Sequence, residues 1–247
     1  MTENTLAGES IPSRRSQRAT KKRGGWYFVR DLAVIVVIAI LASFLVKTFL
    51  VRSFYIPSGS MENTLIKDDR ILVNELVPNL VPIQRGDVVV FRDPGGWLPV
   101  TPQKKPGNPI VEGGEWLLSL VGLASPDSND HLIKRVIGLP GDRVECCNAL
   151  GQMMVNGVPL DEPYVKLKGH QSVSEINFDV VVPEGSLWVM GDNRYDSLDS
   201  RFNQQGPTKG FVPIKNVVGR AFVITWPFDR WGGLGNYPEV FDGVGKK

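Results

Sequence analysis

Phe54-Tyr55-Ile56-Pro57-Ser58-Gly59-Ser60-Met61-Glu62-Asn63-Thr64-Leu65 divides the chain into an apolar segment before it and short β-branched runs after it. Pro57 restricts one backbone torsion and Gly59 admits torsions closed to other residues, so the stretch suits a sharp bend. Such a bend can lift the Ser60 hydroxyl out of a strand and turn backbone N–H groups toward a substrate carbonyl. The same residues also make an ordinary polar turn between a helix and a strand. Nucleophile and turn both fit, and partners elsewhere in the chain must decide.

Upstream, Leu32 to Val46 carries no charge, and Phe49, Leu50 and Val51 extend the apolar run past Lys47 to Arg52. A bilayer-spanning helix needs ~20 mainly apolar residues, a length reached here if Lys47 snorkels to the interface. Trp26 and Tyr27 stand where an interfacial aromatic belt belongs. Arg14, Arg15, Arg18, Lys21, Lys22, Arg23 and Arg30 face only Glu3 and Glu9 in the same region. That excess predicts a cytoplasmic N-terminus and an outside location for all that follows Arg52. A cleaved signal peptide would have a shorter basic region and an Ala-x-Ala site near the end of the run. A core helix apolar on every face would be unusual in a domain of this size. The expected organisation is a disordered basic tail over 1–25, a transmembrane anchor over 26–51 and an extracytoplasmic domain over 52–247.

Downstream the patterns are those of strands. Arg70–Asn74, Asp87–Phe91, Leu132–Ile137, Leu187–Met190 and Val217–Trp226 are short apolar runs bounded by turn residues. Asn156-Gly157, between Met153 and Leu160, marks a tight hairpin. Residues 93–129 are Gly/Pro-rich with an apolar patch from Trp116 to Leu123, and read as a long surface insertion. A small β subdomain is expected over about 143–185. The fold class is mainly β, an antiparallel sheet domain with a smaller β insertion, preceded by one transmembrane helix.

Composition excludes several functions. The 247 residues carry a net charge of only +2, which gives no reason to expect nucleic-acid binding. His131 and His170 lie far apart without His-Glu-x-x-His spacing, so a zinc peptidase is not indicated. Cys146 and Cys147 are adjacent and have no third cysteine to pair with. A disulfide between neighbours requires a strained ring, so they read as two small apolar residues at a strand end.

A serine nucleophile needs a base, and a lysine can serve when its ammonium holds its proton poorly. Lys134 lies inside an apolar strand run, on one face with Leu132 and Val136. Burial there lowers a lysine pKa, because the charged form loses hydration. An edge-strand lysine that discourages aggregation fits the same pattern. Arg135 falls on the opposite face and reads as solvent-facing.

Five stretches now stand in order. They are the apolar anchor, Ile56-Pro57-Ser58-Gly59-Ser60-Met61, Arg85-Gly86-Asp87-Val88-Val89-Val90-Phe91, Lys134-Arg135-Val136-Ile137-Gly138-Leu139-Pro140-Gly141-Asp142, and Gly191-Asp192-Asn193-Arg194 through Ser197-Leu198-Asp199-Ser200-Arg201. Together they resemble bacterial type I signal peptidases, membrane-bound serine proteases with a Ser–Lys dyad. The resemblance implies Ser60 as nucleophile, Lys134 as general base and Ser58 as an oxyanion-hole hydroxyl. It further implies that Ser197 orients the lysine amine, and that Asp199 and Arg201 form a supporting ion pair. By position, Ile56, Pro57, Met61, Leu65, Leu132 and Ile133 line the substrate pocket. Asn63 stands where the family often has proline, Leu132 where an aromatic is common, and the insertion is long.

The function so implied is removal of signal peptides from exported preproteins after small residues of Ala-x-Ala type. The enzyme would be single-pass in the bacterial cytoplasmic membrane, with signal peptides and membrane lipid as partners and no nucleic acid or metal. Another Ser–Lys protease of the same catalytic fold, or an inert anchored binding domain, are the alternatives. A penicillin-binding enzyme is disfavoured, because Asn63 and not lysine stands three residues after Ser60.

Overall fold

The computed structural model describes residues 25–98 and 130–245. The expected basic tail, apart from Gly25, and residues 99–129 of the expected insertion lie outside the described residues. The first element is one helix, α1 (Gly25–Phe49). Within it the 18 residues Trp26–Ser43 are long and apolar enough to cross a membrane, and none of them is buried. The helix ends before the apolar run does. Phe49 closes it, inside the run, and Val51 opens a strand.

Among the described residues twelve strands follow: β1 (Val51–Tyr55), β2 (Arg70–Asn74), β3 (Val88–Arg92), β4 (His131–Gly138), β5 (Arg143–Cys146), β6 (Met153–Val155), β7 (Val158–Pro159), β8 (Phe178–Val181), β9 (Ser186–Met190), β10 (Val212–Pro213), β11 (Val217–Trp226) and β12 (Gly232–Gly233). Eight form one sheet in the order β1-β2-β11-β3-β4-β9-β10, with β12 on β11. The other four form a small sheet, β7-β6-β5-β8. All the strand pairings are antiparallel. The protein is thus mainly antiparallel β with one apolar N-terminal helix. At the tip of the β6–β7 hairpin, Asn156 and Gly157 sit at φ 52° and 80°, the left-handed pair that a tight turn between twisted strands demands.

Strand position follows from side-chain pattern. β2 alternates buried and part-exposed residues, whereas β3 and β4 are buried on both faces, as central strands must be. Period-2 alternation along β4 then divides its side chains between two cores. Ile133 packs with Phe54, Ile71 and Val88 on one face, and Leu132 and Val136 with Phe91, Val189 and Trp97 on the other. Trp97, at the entrance to the insertion, is buried edge-on against Phe91 at 5.7 Å between ring centres. A third core joins the small sheet to the large one, with Trp188, Phe178, Val144 and Met153 packed together.

Two expectations are overturned. Arg135 is fully buried, because Asp192 on one side and the Tyr164 ring on the other cover the face that had read as exposed. Cys146 and Cys147, expected as two separate apolar side chains at a strand end, are joined to each other in a disulfide.

Candidate active site

Ser60 follows β1 in a compact turn. The Glu62 N–H donates to the Gly59 carbonyl at 3.0 Å, and the Thr64 and Leu65 N–H groups to that of Met61 at 3.0 and 2.8 Å. Met61 and Leu65 are fully buried and pin the turn to the core beneath it. Its upper side is held by the segment after β9. The Asn193 N–H donates to the Ser60 carbonyl at 3.1 Å, and the Asn193 side-chain amide donates to the Gly59 carbonyl at 3.0 Å. Ser60 is therefore fixed from both sides.

β4 delivers Lys134 to this serine. Lys134 Nζ lies 2.7 Å from Ser60 Oγ and donates to the Ile133 carbonyl at 3.0 Å. The lysine is only 4% exposed. Burial lowers its pKa from 10.5 to about 8, with Arg201 acting the same way and the carboxylates of Asp199 and Asp192 opposing. Such an amine is neutral in a useful fraction near neutral pH and can take a proton from the hydroxyl beside it.

The other sequence-derived residues fall into three groups. Ser58 is exposed beside the pair, with its Oγ 3.4 Å from Ser60 Oγ. Asp199 and Arg201 are both fully buried and joined by two bonds, of 2.9 and 2.8 Å, and the Gly191 N–H donates to Asp199 at 3.0 Å. Burial raises the Asp199 pKa, but the Arg201 guanidinium, the Gly191 N–H and Lys134 together outweigh it and hold the carboxyl below its ordinary value. Ser197 is buried and lines the same cleft, yet its hydroxyl makes no hydrogen bond; the bonds of the Lys134 amine go to Ser60 and the Ile133 carbonyl.

The cleft over the pair has a volume of about 510 Å³ and takes in Ser58, Ser60, Lys134, Ser197, Leu132 and Trp97. Of the six expected pocket residues, Leu132 alone lines it. Ile56, Met61, Leu65 and Ile133 pack together in the apolar core of the nucleophile turn, and Pro57 is exposed. Their side chains are drawn inward because that core is what anchors the turn. Among the described residues no cluster of His, Cys, Asp or Glu is arranged to hold a metal ion.

Several supporting residues escaped the sequence reading. Arg135 binds both oxygens of Asp192, at 2.9 and 2.7 Å, donates to the Gly86 carbonyl at 2.7 Å, and stacks on the Tyr164 ring at 4.0 Å. Arg194 and Glu162 form a second buried pair, at 2.9 and 2.6 Å. Gly191 matters for its missing side chain: a Cβ there would collide with Ser197 Oγ and the Ser60 carbonyl oxygen. Gly191→Ala must therefore push the nucleophile turn away from β9. Overpacking of this kind costs ~1–3 kcal/mol, so kcat is expected to fall about tenfold or more while far-UV circular dichroism stays unchanged. Wild-type kcat in this variant would show that the turn can yield without loss of geometry.

The family described as signal peptidase, peptidase S26, matches residues 29–226. A protein named "Probable signal peptidase I" from Mycobacterium leprae is 36% identical over 94% of this chain and 90% of its own length. Signal peptidase I of Mycobacterium tuberculosis is 40% identical over 83% of this chain and 74% of its own. Signal peptidase I of Leptolyngbya laminosa is 36% identical over 78% of each.

Proposed function

We propose the function from this premise: the chain belongs to the signal peptidase family, peptidase S26. It is a signal peptidase I, a hydrolase whose substrates are preproteins bearing signal peptides. The finer reading is a Ser60–Lys134 dyad, and the observation that carries it is the 2.7 Å contact between a serine hydroxyl and a buried lysine of lowered pKa. Neutral Lys134 takes the Ser60 proton as Oγ attacks the scissile carbonyl. The oxyanion is received by the Ser60 N–H and the Ser58 hydroxyl. Lys134 then passes the proton to the leaving amine, and water enters to hydrolyse the acyl-enzyme in the reverse sense. Ser197, whose hydroxyl is unpaired beside the cleft, is assigned to aim the amine once substrate excludes water. The Asp199–Arg201 pair holds that segment rigid. No cofactor enters any step.

Specificity for small residues follows from what lies under the turn. Ile56, Met61, Leu65 and Ile133 fill the core beside Ser60, leaving little depth for a side chain before the cut, with Pro57 exposed and Leu132 lining the cleft. Preproteins with Ala immediately before the scissile bond are expected to be cleaved at least about tenfold faster than those with Phe, since overpacking costs ~1–3 kcal/mol. Equal rates for the two substrates would remove this account of the pocket.

The anchor reading assigns Trp26–Ser43 to the bilayer, residues 1–25 to the cytoplasm and the β domain, with its small sheet as a subdomain, to the outer side of the bacterial cytoplasmic membrane. Lipid contact by the β domain is supported by three exposed aromatics in mutual contact. Trp226, Phe228 and Trp231 are 48, 67 and 64% exposed, with ring centres 4.9 and 6.0 Å apart in turn. Protease added to intact spheroplasts should digest the β domain and spare the basic tail. A protected β domain would reverse the topology.

A further inference from the structure

The nucleophile turn has a third support, and it comes from the loop between β7 and β8. Asn63 is exposed and sits at φ 93°, in the left-handed region. That conformation turns its side-chain amide toward the loop, where it donates to the Tyr164 carbonyl at 3.3 Å and the Val165 carbonyl at 3.5 Å. Beside it, Lys166 Nζ donates to Glu62 at 2.7 Å. The loop is itself tied to the segment that holds Ser60 from above. The Lys166 N–H donates to the Asp192 carbonyl at 2.8 Å, and the Arg194 N–H donates to the Lys166 carbonyl at 3.3 Å. Asn193 closes the ring, since its side-chain amide reaches Gly59 O at 3.0 Å and Glu62 Oε2 at 3.4 Å. The acceptor carbonyl is not free to drift, because the Tyr164 ring is buried over the Arg135 guanidinium.

We propose that Asn63, together with the Glu62–Lys166 pair, is a positioning latch that fixes the rotation of the Gly59–Asn63 turn and so the approach of Ser60 to Lys134. The proposal rests on Ser60 being the nucleophile. Its physical logic is that the core holds the turn through Met61 and Leu65 and Asn193 holds it through Gly59 and Ser60. Asn63 faces outward from both, and Glu62 meets only the edge of the Asn193 amide, at 3.4 Å. Without the latch the turn keeps its anchors but can rock about them, and a shift of ~1 Å between reacting groups can cost ~10²-fold in rate. Asparagine suits the position twice over, because it tolerates a positive φ and carries a donor. None of the latch side chains lines the cleft over the dyad, so the latch acts through Ser60 and not on substrate.

The test uses the full chain in detergent micelles with a preprotein substrate. Asn63→Gly keeps the backbone conformation and removes the donor; Asn63→Asp keeps the shape but sets a carboxylate against two carbonyls. The expected results are a kcat lower by about tenfold for Asn63→Gly and lower still for Asn63→Asp, with KM within about twofold of wild type. The acidic limb of the pH profile and the thermal midpoint should stay in place, because Lys134 and the core are untouched. Glu62→Lys and Lys166→Glu should each slow turnover, and the double exchange should recover part of the loss. A kcat within about twofold of wild type in both Asn63 variants would overturn the proposal. So would a loss that appears in KM alone, or one matched by a fall in thermal midpoint. Ser60→Ala, run in parallel, separates the two readings: if it still cleaves, the dyad assignment fails whatever the Asn63 variants do.

Discussion

Ser60→Ala is expected to abolish preprotein cleavage, by about 10⁴-fold or more, in a protein that folds like the wild type. The hydroxyl is the reacting atom, so its loss removes the covalent route outright. The fold has little reason to suffer. Ser60 is held through its backbone, by Asn193 above and the Met61–Leu65 turn below, and an alanine keeps every one of those bonds. Mixing the purified variant with a fluorescent preprotein and following release of the signal peptide measures the effect. Substantial residual cleavage would place the nucleophile elsewhere and return the chain to the class of anchored domains that bind without cutting.

Lys134→Arg should be equally damaging. A guanidinium cannot lose its proton at a usable pH, so it cannot accept one from Ser60. It would also be a larger, permanently charged group in a site where lysine is only 4% exposed. Lys134→Met separates the two effects, since it keeps the length, removes the charge and still lacks the base. Both variants should lack turnover, while Lys134→Met should be at least as stable to heat as wild type below pH 8. The sign of that expectation follows from linkage. Burial lowers the lysine pKa in the folded state to about 8, whereas an unfolded lysine titrates near ~10.4. Between those values the unfolded chain binds more protons, so wild-type stability rises with pH across that window, and below it the buried charge is a constant burden. Robust cleavage by well-folded Lys134→Met would rule this lysine out as the base.

Much of this was legible in the chain because it depends on local pattern. Alternation in Leu132-Ile133-Lys134 places the lysine and Leu132 on one face, and the structure puts Leu132 in the cleft with it. The Asn156-Gly157 hairpin and the β-branched runs specify their own geometry. What stayed hidden depends on distant partners. Arg135 read as a surface residue because its carboxylate partner, Asp192, lies 57 residues away, and only the sheet order β3-β4-β9 brings them together. Gly191 carries no local signal that its missing Cβ makes room for Ser60. Val51, the first residue of β1, read as the end of the apolar run, because it suits a membrane helix and a strand equally well. The pocket residues are read by position from Ser60, and position does not tell that Met61 and Leu65 lie in the core under the turn.

The pH dependence of kcat/KM for wild-type enzyme, from about pH 5 to 10.5, tests the central claim most directly. The account requires Lys134 to be neutral before Ser60 can react, so activity should climb tenfold per pH unit on the acidic side and bend near 8. A bend near ~10.4, the value of an ordinary exposed lysine, or a rate independent of pH from 5 to 9, would contradict a buried lysine acting as the base.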